Sequence, residues 1–229
     1  MTMTGAPWHD YNIEKLGADK LFEMVAELDA EDAIMTLGSH QHRGGHDVKN
    51  NLGIAQSHAY TLLGAVEITA GKNKGTRLFK IRNPWGSGAE SYKGPFNDKD
   101  SRWDQVSKEQ AGYTDFNDGT FFMPVENVVS RSGFANFYAN ENPDKLKHSH
   151  FLVLDDKEAD APAANRGYFH GARERTFTVT SPETQEIWVT ANNWADRSIP
   201  SRCRKAYGRK MVLYNEATNS AMYLLTGSH

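Results

Sequence analysis

The sequence contains one cysteine, Cys203, among its 229 residues. A lone cysteine closes no internal disulfide, so the fold must be held by a packed core rather than by covalent staples. No window reaches the 18 or more apolar residues of a membrane helix, and the opening MTMTGAPWHDY has neither the basic nor the apolar segment of a secretory leader. These absences lead to the expectation of a cytoplasmic chain without a membrane span. An excess of one charge is missing too, because 26 Lys and Arg against 29 Asp and Glu leave a formal −3. So small a net charge gives no reason to expect nucleic acid as a partner, and partners have to be argued from local sites. What is present is globular: 38% hydrophobic residues, enough for one large or two small domains in a chain of this length.

Residues 18–29, ADKLFEMVAELD, space Leu21, Met24, Val25 and Leu28 at i, i+3, i+4 and i+7. That spacing predicts an amphipathic helix, with Asp19 as its N-cap. Residues 33–37 read as a short strand ending at Gly38, and residues 39–57 as a polar, Gly-rich loop longer than a plain connection requires. HAYTLLGAVEI at 58–68 and TRLFKIR at 76–82 carry strand composition and are joined through GKNKG, which predicts an antiparallel hairpin. Along the second strand Leu78, Lys80 and Arg82 share one side and Phe79 and Ile81 the other. Pro84 and Gly86 forbid its continuation. A helix at 104–111, a strand at 119–123, a helical turn at 126–130 and a strand at 134–138 complete the first region. The pattern predicts an α+β fold over 1–143, an antiparallel sheet or half-barrel with flanking helices. ANENPDK at 139–145 reads as a linker. Two more hairpin patterns, around SPET and NEATNS, predict an antiparallel β-sandwich-like domain, or part of one, over 144–229.

Chemistry concentrates at the mouth of the first hairpin. His58 opens one strand and Asn83 directly follows the other, so an antiparallel pairing brings both to one end of the sheet. A histidine base needs such a partner: a side-chain amide oxygen binds one ring nitrogen and leaves the other to face a nucleophile. Trp85, positioned by Pro84, stands where it can shield that bond from water. The same residues also fit a histidine bonded to backbone at a strand end, followed by an ordinary Asn-Pro turn.

SHAYTLLGAVEI, RLFKIRNPWG, GPFNDKDSRWD and FNDGTFFMPVENV, in this order, resemble the second protease subdomain of the calpains, calcium-dependent cysteine endopeptidases with a papain-like core. The resemblance implies that His58 is the catalytic base, Asn83 its orienting amide and Trp85 the tryptophan beside the active site. It implies a polypeptide substrate, and a following β-sandwich to which residues 144–229 are more weakly similar. It also implies a calcium site built from Glu90, Asp98 and Asp118. Thr120 stands where the family pattern has a further acid, and Phe116 where it has a polar residue, so the implied site is weakened.

Calpains carry their nucleophilic cysteine in a preceding subdomain, within a GDCW-like motif that this sequence does not contain. A histidine without a thiolate beside it does not attack a peptide bond. The expectation is therefore an endopeptidase lineage whose chain needs a separate Cys-bearing subdomain to act. The alternative is a catalytically dead regulatory or scaffold module that binds a protein partner. Cys203 sits among Arg202, Arg204, Lys205, Arg209 and Lys210, and these cations favour a thiolate, yet it follows the His-Asn pair and lacks the nucleophile's context. His40, His42 and His46 beside Asp47 carry zinc-ligand types but no rigid element to hold them tetrahedrally.

Overall fold

Strands arise where β-branched and aromatic residues alternate, and helices where apolar residues return every three or four positions. The computed structural model describes residues 8–45, 48–86, 92–142, 180, 209–215, 218 and 220–227. In chain order the elements are β1 (Trp8–Asn12), α1 (Ile13–Leu16), α2 (Ala18–Ala30), β2 (Ile34–Ser39), β3 (Ala59–Glu67) and β4 (Arg77–Arg82). They continue with α3 (Gln105–Ala111), β5 (Thr120–Pro124), α4 (Val125–Val128), β6 (Phe134–Asn140), β7 (Arg209–Asn215) and β8 (Ser220–Gly227). The chain divides into two compact units, residues 3–149 and residues 150–229.

The first unit is built on a six-stranded sheet in the order β1-β6-β2-β3-β4-β5, antiparallel at every pairing. This is the expected α+β class. The alternation read from TRLFKIR fixes which side chains face which layer. Phe79 and Ile81 enter one core with Leu21, Val25, Leu37, Tyr60, Phe121 and Phe137. Leu78 enters a second, smaller core with Ile68, Phe96, Trp103, Ala111 and Phe122. Helix α2 covers the first face through Leu21 and Val25, with Phe22 stacked on Phe79 at 5.9 Å. On the second face Trp103 meets Phe96 edge-on at 4.9 Å and Phe122 edge-on at 5.3 Å. Short α3 begins beside it, capped by Asp104, whose carboxylate accepts the Ser107 N–H at 2.7 Å.

Several local expectations are corrected. Helix α2 starts one residue before Asp19, at a Gly17 N-cap that supplies no side-chain bond. The Asp19 carboxylate instead pairs with the Arg77 guanidinium at 2.8 Å, tying the exposed helix start to β4. The β3–β4 pairing, by contrast, continues to the strand ends read from the sequence, with the Ile68 N–H donating to the Thr76 carbonyl at 2.9 Å, so residues 69–75 make the connection around GKNKG. Strand β1 and the four-residue α1 were not anticipated, and neither was the number of strands. The linker expected at 139–145 begins later than the sequence suggested, because Ala139 and Asn140 are still paired in β6. Its residues from 143 on, and the SPET hairpin, lie outside the described residues, so of the expected β-sandwich the described residues show only β7 and β8. That pair forms an antiparallel ladder with a register shift between Leu213 and Tyr214.

Candidate active site

The β3–β4 pairing runs from Glu67↔Arg77 to Thr61↔Arg82. Its open end therefore presents the residues that flank Thr61 and Arg82. There His58 Nε2 lies 2.9 Å from Asn83 Oδ1, across 25 residues of sequence. An amide oxygen only accepts, so Nε2 carries the proton and donates. In the neutral ring this leaves Nδ1 as the basic nitrogen, and no described residue hydrogen-bonds it.

Asn83 is 1% exposed and is held on three sides. Its N–H donates to Gly119 O at 2.9 Å, its carbonyl accepts from Gly86 N at 3.1 Å, and Oδ1 also accepts the Trp85 N–H at 3.2 Å. The first of these bonds is permitted by a glycine. Gly119 has φ +87°, and a Cβ there would lie 2.7 Å from the Asn83 carbonyl oxygen. The Trp85 ring packs over His58 with centroids 4.3 Å apart and planes at 34°, while remaining 45% exposed to solvent. It covers one side of the imidazole and keeps an outward face.

Beneath the imidazole, Tyr60 stands edge-on to it at 4.9 Å. The Tyr60 hydroxyl accepts the Ala55 N–H at 2.8 Å, and burial pushes its pKa up to about 12 against the opposing pull of that N–H. The ring therefore stays neutral and anchors the segment that leads into His58. Behind the histidine, Ser39 Oγ accepts the His58 N–H at 2.9 Å and donates to the His58 carbonyl at 3.0 Å.

The expected His58, Asn83 and Trp85 thus come together. Of the residues expected to hold calcium, only Asp98 and Asp118 fall among the described ones. Glu90 lies outside the described residues. The Asp98 carbonyl accepts the Tyr113 hydroxyl at 3.0 Å. The exposed Asp118 carboxylate accepts the Thr120 N–H at 2.8 Å, and this bond, with the Thr120 side chain and Arg82, holds it below the usual carboxylate range. Among the described residues no three His, Cys, Asp or Glu side chains converge as a metal-binding group, whereas calcium takes six to eight oxygens. Of the zinc-type histidines, His42 Nδ1 accepts the Gly44 N–H at 3.0 Å. His46, Asp47 and Cys203 lie outside the described residues. Sequence reading missed Ser39, Tyr60 and Gly119 as supports of the pair. HAY and DGT were visible as motifs, but only the strand pairing shows what they brace.

A histidine and an asparagine at one sheet end, with a tryptophan against the imidazole, are the arrangement that the HAY and NPWG motifs imply. The family described as calpain family cysteine protease matches residues 1–136. The chain belongs to this family. Among similar calpains, Calpain-14 of Homo sapiens is 34% identical over 92 residues, 39% of this chain and 13% of that protein. Calpain-12 of Mus musculus is 30% identical over 86 residues, 37% of this chain and 12% of that protein. Calpain-5 of Rattus norvegicus is 26% identical over 131 residues, 52% of this chain and 20% of that protein. The matched stretch thus spans a fifth or less of these calpains. The calpain family is calcium-dependent in general, and no helix among the described residues is long and apolar enough to cross a membrane.

Proposed function

We propose that this calpain-family chain supplies the histidine-bearing half of a cysteine endopeptidase centre acting on polypeptides. The observation that carries the reading is the 2.9 Å contact between His58 Nε2 and Asn83 Oδ1. It leaves Nδ1 as the ring nitrogen that takes and returns a proton. In the reaction, Nδ1 accepts the proton of a cysteine thiol contributed by a separate subdomain, and the thiolate adds to the scissile carbonyl. The proton passes from Nδ1 to the leaving amine as the C–N bond breaks, leaving an acyl-enzyme that water hydrolyses with the same imidazole as base. Asn83 holds the ring in one tautomer and orientation throughout. Trp85 excludes water from one side of that hydrogen bond. Asp98 and Asp118 are two carboxylates where a calcium ion needs six to eight oxygens, so no step is assigned to calcium.

The test mixes the chain with the cysteine-bearing subdomain of a calpain and follows cleavage of a fluorogenic peptide, together with labelling by a thiol-reactive epoxide. Turnover is expected in the mixture and not in either part alone. His58→Ala should lower it by about 10²- to 10⁴-fold, the usual worth of a general acid–base group, and Cys203→Ala should leave it unchanged. A mixture that associates yet neither cleaves nor labels would instead support a regulatory module that binds a protein partner.

A further inference from the structure

We infer that Ser39 is a positioning residue for His58, and that its hydroxyl sets the direction in which the imidazole leaves the sheet. The inference rests on the proposed role of the His58–Asn83 pair and adds to it a residue outside the His, Asn and Trp motifs. In the β2–β3 ladder the register runs Met35↔Leu62, Thr36↔Thr61, Leu37↔Tyr60 and Gly38↔Ala59. The next pair in sequence is Ser39 with His58. A regular hydrogen-bonded pair exchanges two backbone bonds, N–H to carbonyl in each direction. Here only one is backbone to backbone, from Ser39 N to His58 O at 3.0 Å. The His58 N–H turns to Ser39 Oγ at 2.9 Å, and the same hydroxyl donates to the His58 carbonyl at 3.0 Å.

The substitution of side chain for carbonyl follows from the backbone on either side. Residue 57 has φ +49°, a left-handed conformation costly for a residue with a Cβ, and its N–H bonds His40 O at 2.8 Å. On the other side, β2 shifts register against β6 between Gly38 and Ser39. The ladder therefore ends irregularly where His58 begins, and the 7%-exposed Ser39 holds both peptide groups that flank the His58 Cα. Fixing those two planes fixes the Cα–Cβ direction, and with it the reach of Nε2 to Asn83. A misplacement of about 1 Å is enough to cost a catalytic group about a hundredfold.

The test reads the imidazole directly. Histidine-labelled full chain is examined by long-range ¹H–¹⁵N correlation NMR at about pH 8, well above the reference range of an imidazole. The wild-type protein, Ser39→Ala, the near-isosteric pair Ser39→Thr and Ser39→Val, and Asn83→Ala are compared. The Nε2–H tautomer of His58 should dominate in the wild type and in Ser39→Thr, and should give way to a mixture in Ser39→Ala, Ser39→Val and Asn83→Ala. In the mixed cleavage assay, Ser39→Val should lower kcat about tenfold relative to Ser39→Thr, with KM within about twofold. Ser39→Val with the wild-type tautomer, beside an Asn83→Ala protein that has lost it, overturns the inference alone. Failure of both hydroxyl-free variants to fold assigns Ser39 to stability and overturns it as well. A wild-type protein in the Nδ1–H form overturns both this inference and the His58–Asn83 reading. The expected tautomers without any cleavage remove the protease reading and leave the positioning role standing.

Discussion

Gly119 supports the asparagine by lacking a side chain. Its carbonyl accepts the Asn83 N–H at 2.9 Å, and an added Cβ would meet the Asn83 carbonyl oxygen at 2.7 Å and the Gly86 carbonyl oxygen at 3.0 Å. Backbone does not yield as a flexible side chain does, and φ +87° adds conformational strain for any L side chain. Gly119→Ala is therefore expected to destabilise the first unit by about 1–3 kcal/mol in denaturant melts, and to weaken the His58–Asn83 bond seen in the imidazole spectrum. Unaltered stability together with an unaltered tautomer would show that the close approach is not needed. At this scale the site was half legible. His58, Asn83 and Trp85 stand at positions where a hairpin must bring them together, and that much follows from antiparallel geometry. Ser39, Tyr60 and Gly119 act through strand pairings and a left-handed φ, and a one-dimensional pattern reports neither.

Among the elements, the loop that leads into α3 is organised around one carboxylate. The Asp100 side chain is 6% exposed, and burial alone would raise its pKa. The N–H groups of Arg102 and Phe96 and the Arg102 guanidinium outweigh burial and hold it below the usual range. A carboxyl depressed in the folded state contributes stability above its unfolded pKa, about 3.9 for aspartate, and loses that contribution as pH falls through the lower folded value. Amide protection factors over residues 96–103, which correct for the slower intrinsic exchange in acid, should therefore fall as the pH drops below about 4. Asp100→Asn should abolish that pH response and cost about 1–3 kcal/mol at neutral pH, the usual worth of hydrogen bonds to a charged group. An equal acid response in wild type and variant would assign it to other carboxylates. Element legibility followed the strength of the local pattern. β3, β4 and α2 carry clean alternation or helical spacing and were read closely. β1, WHDYN, has little strand propensity and exists because β6 pairs with it from Trp8↔Asn140 to Asn12↔Asn136, a partnership more than a hundred residues away in the chain.

For the whole molecule, both hydrophobic cores found among the described residues are drawn from residues between Ile13 and Ala139, and the six-stranded sheet runs from Trp8 to Asn140. The family match ends at residue 136, close to where that sheet ends. A segment that carries its own hydrophobic core has what an independently folding domain requires. The segment of residues 3–149 is accordingly expected to fold alone. At about 0.7 kcal/mol per residue it should melt in one cooperative transition with an enthalpy of about 100 kcal/mol, and its His58 should show the same Nε2–H tautomer as in the full chain. Calorimetry and the imidazole spectrum of the isolated segment decide the matter together. A broad, non-cooperative melt would mean that residues 150–229 complete the core. A cooperative melt with a different tautomer would mean that they act on the His58–Asn83 pair without being needed for the fold.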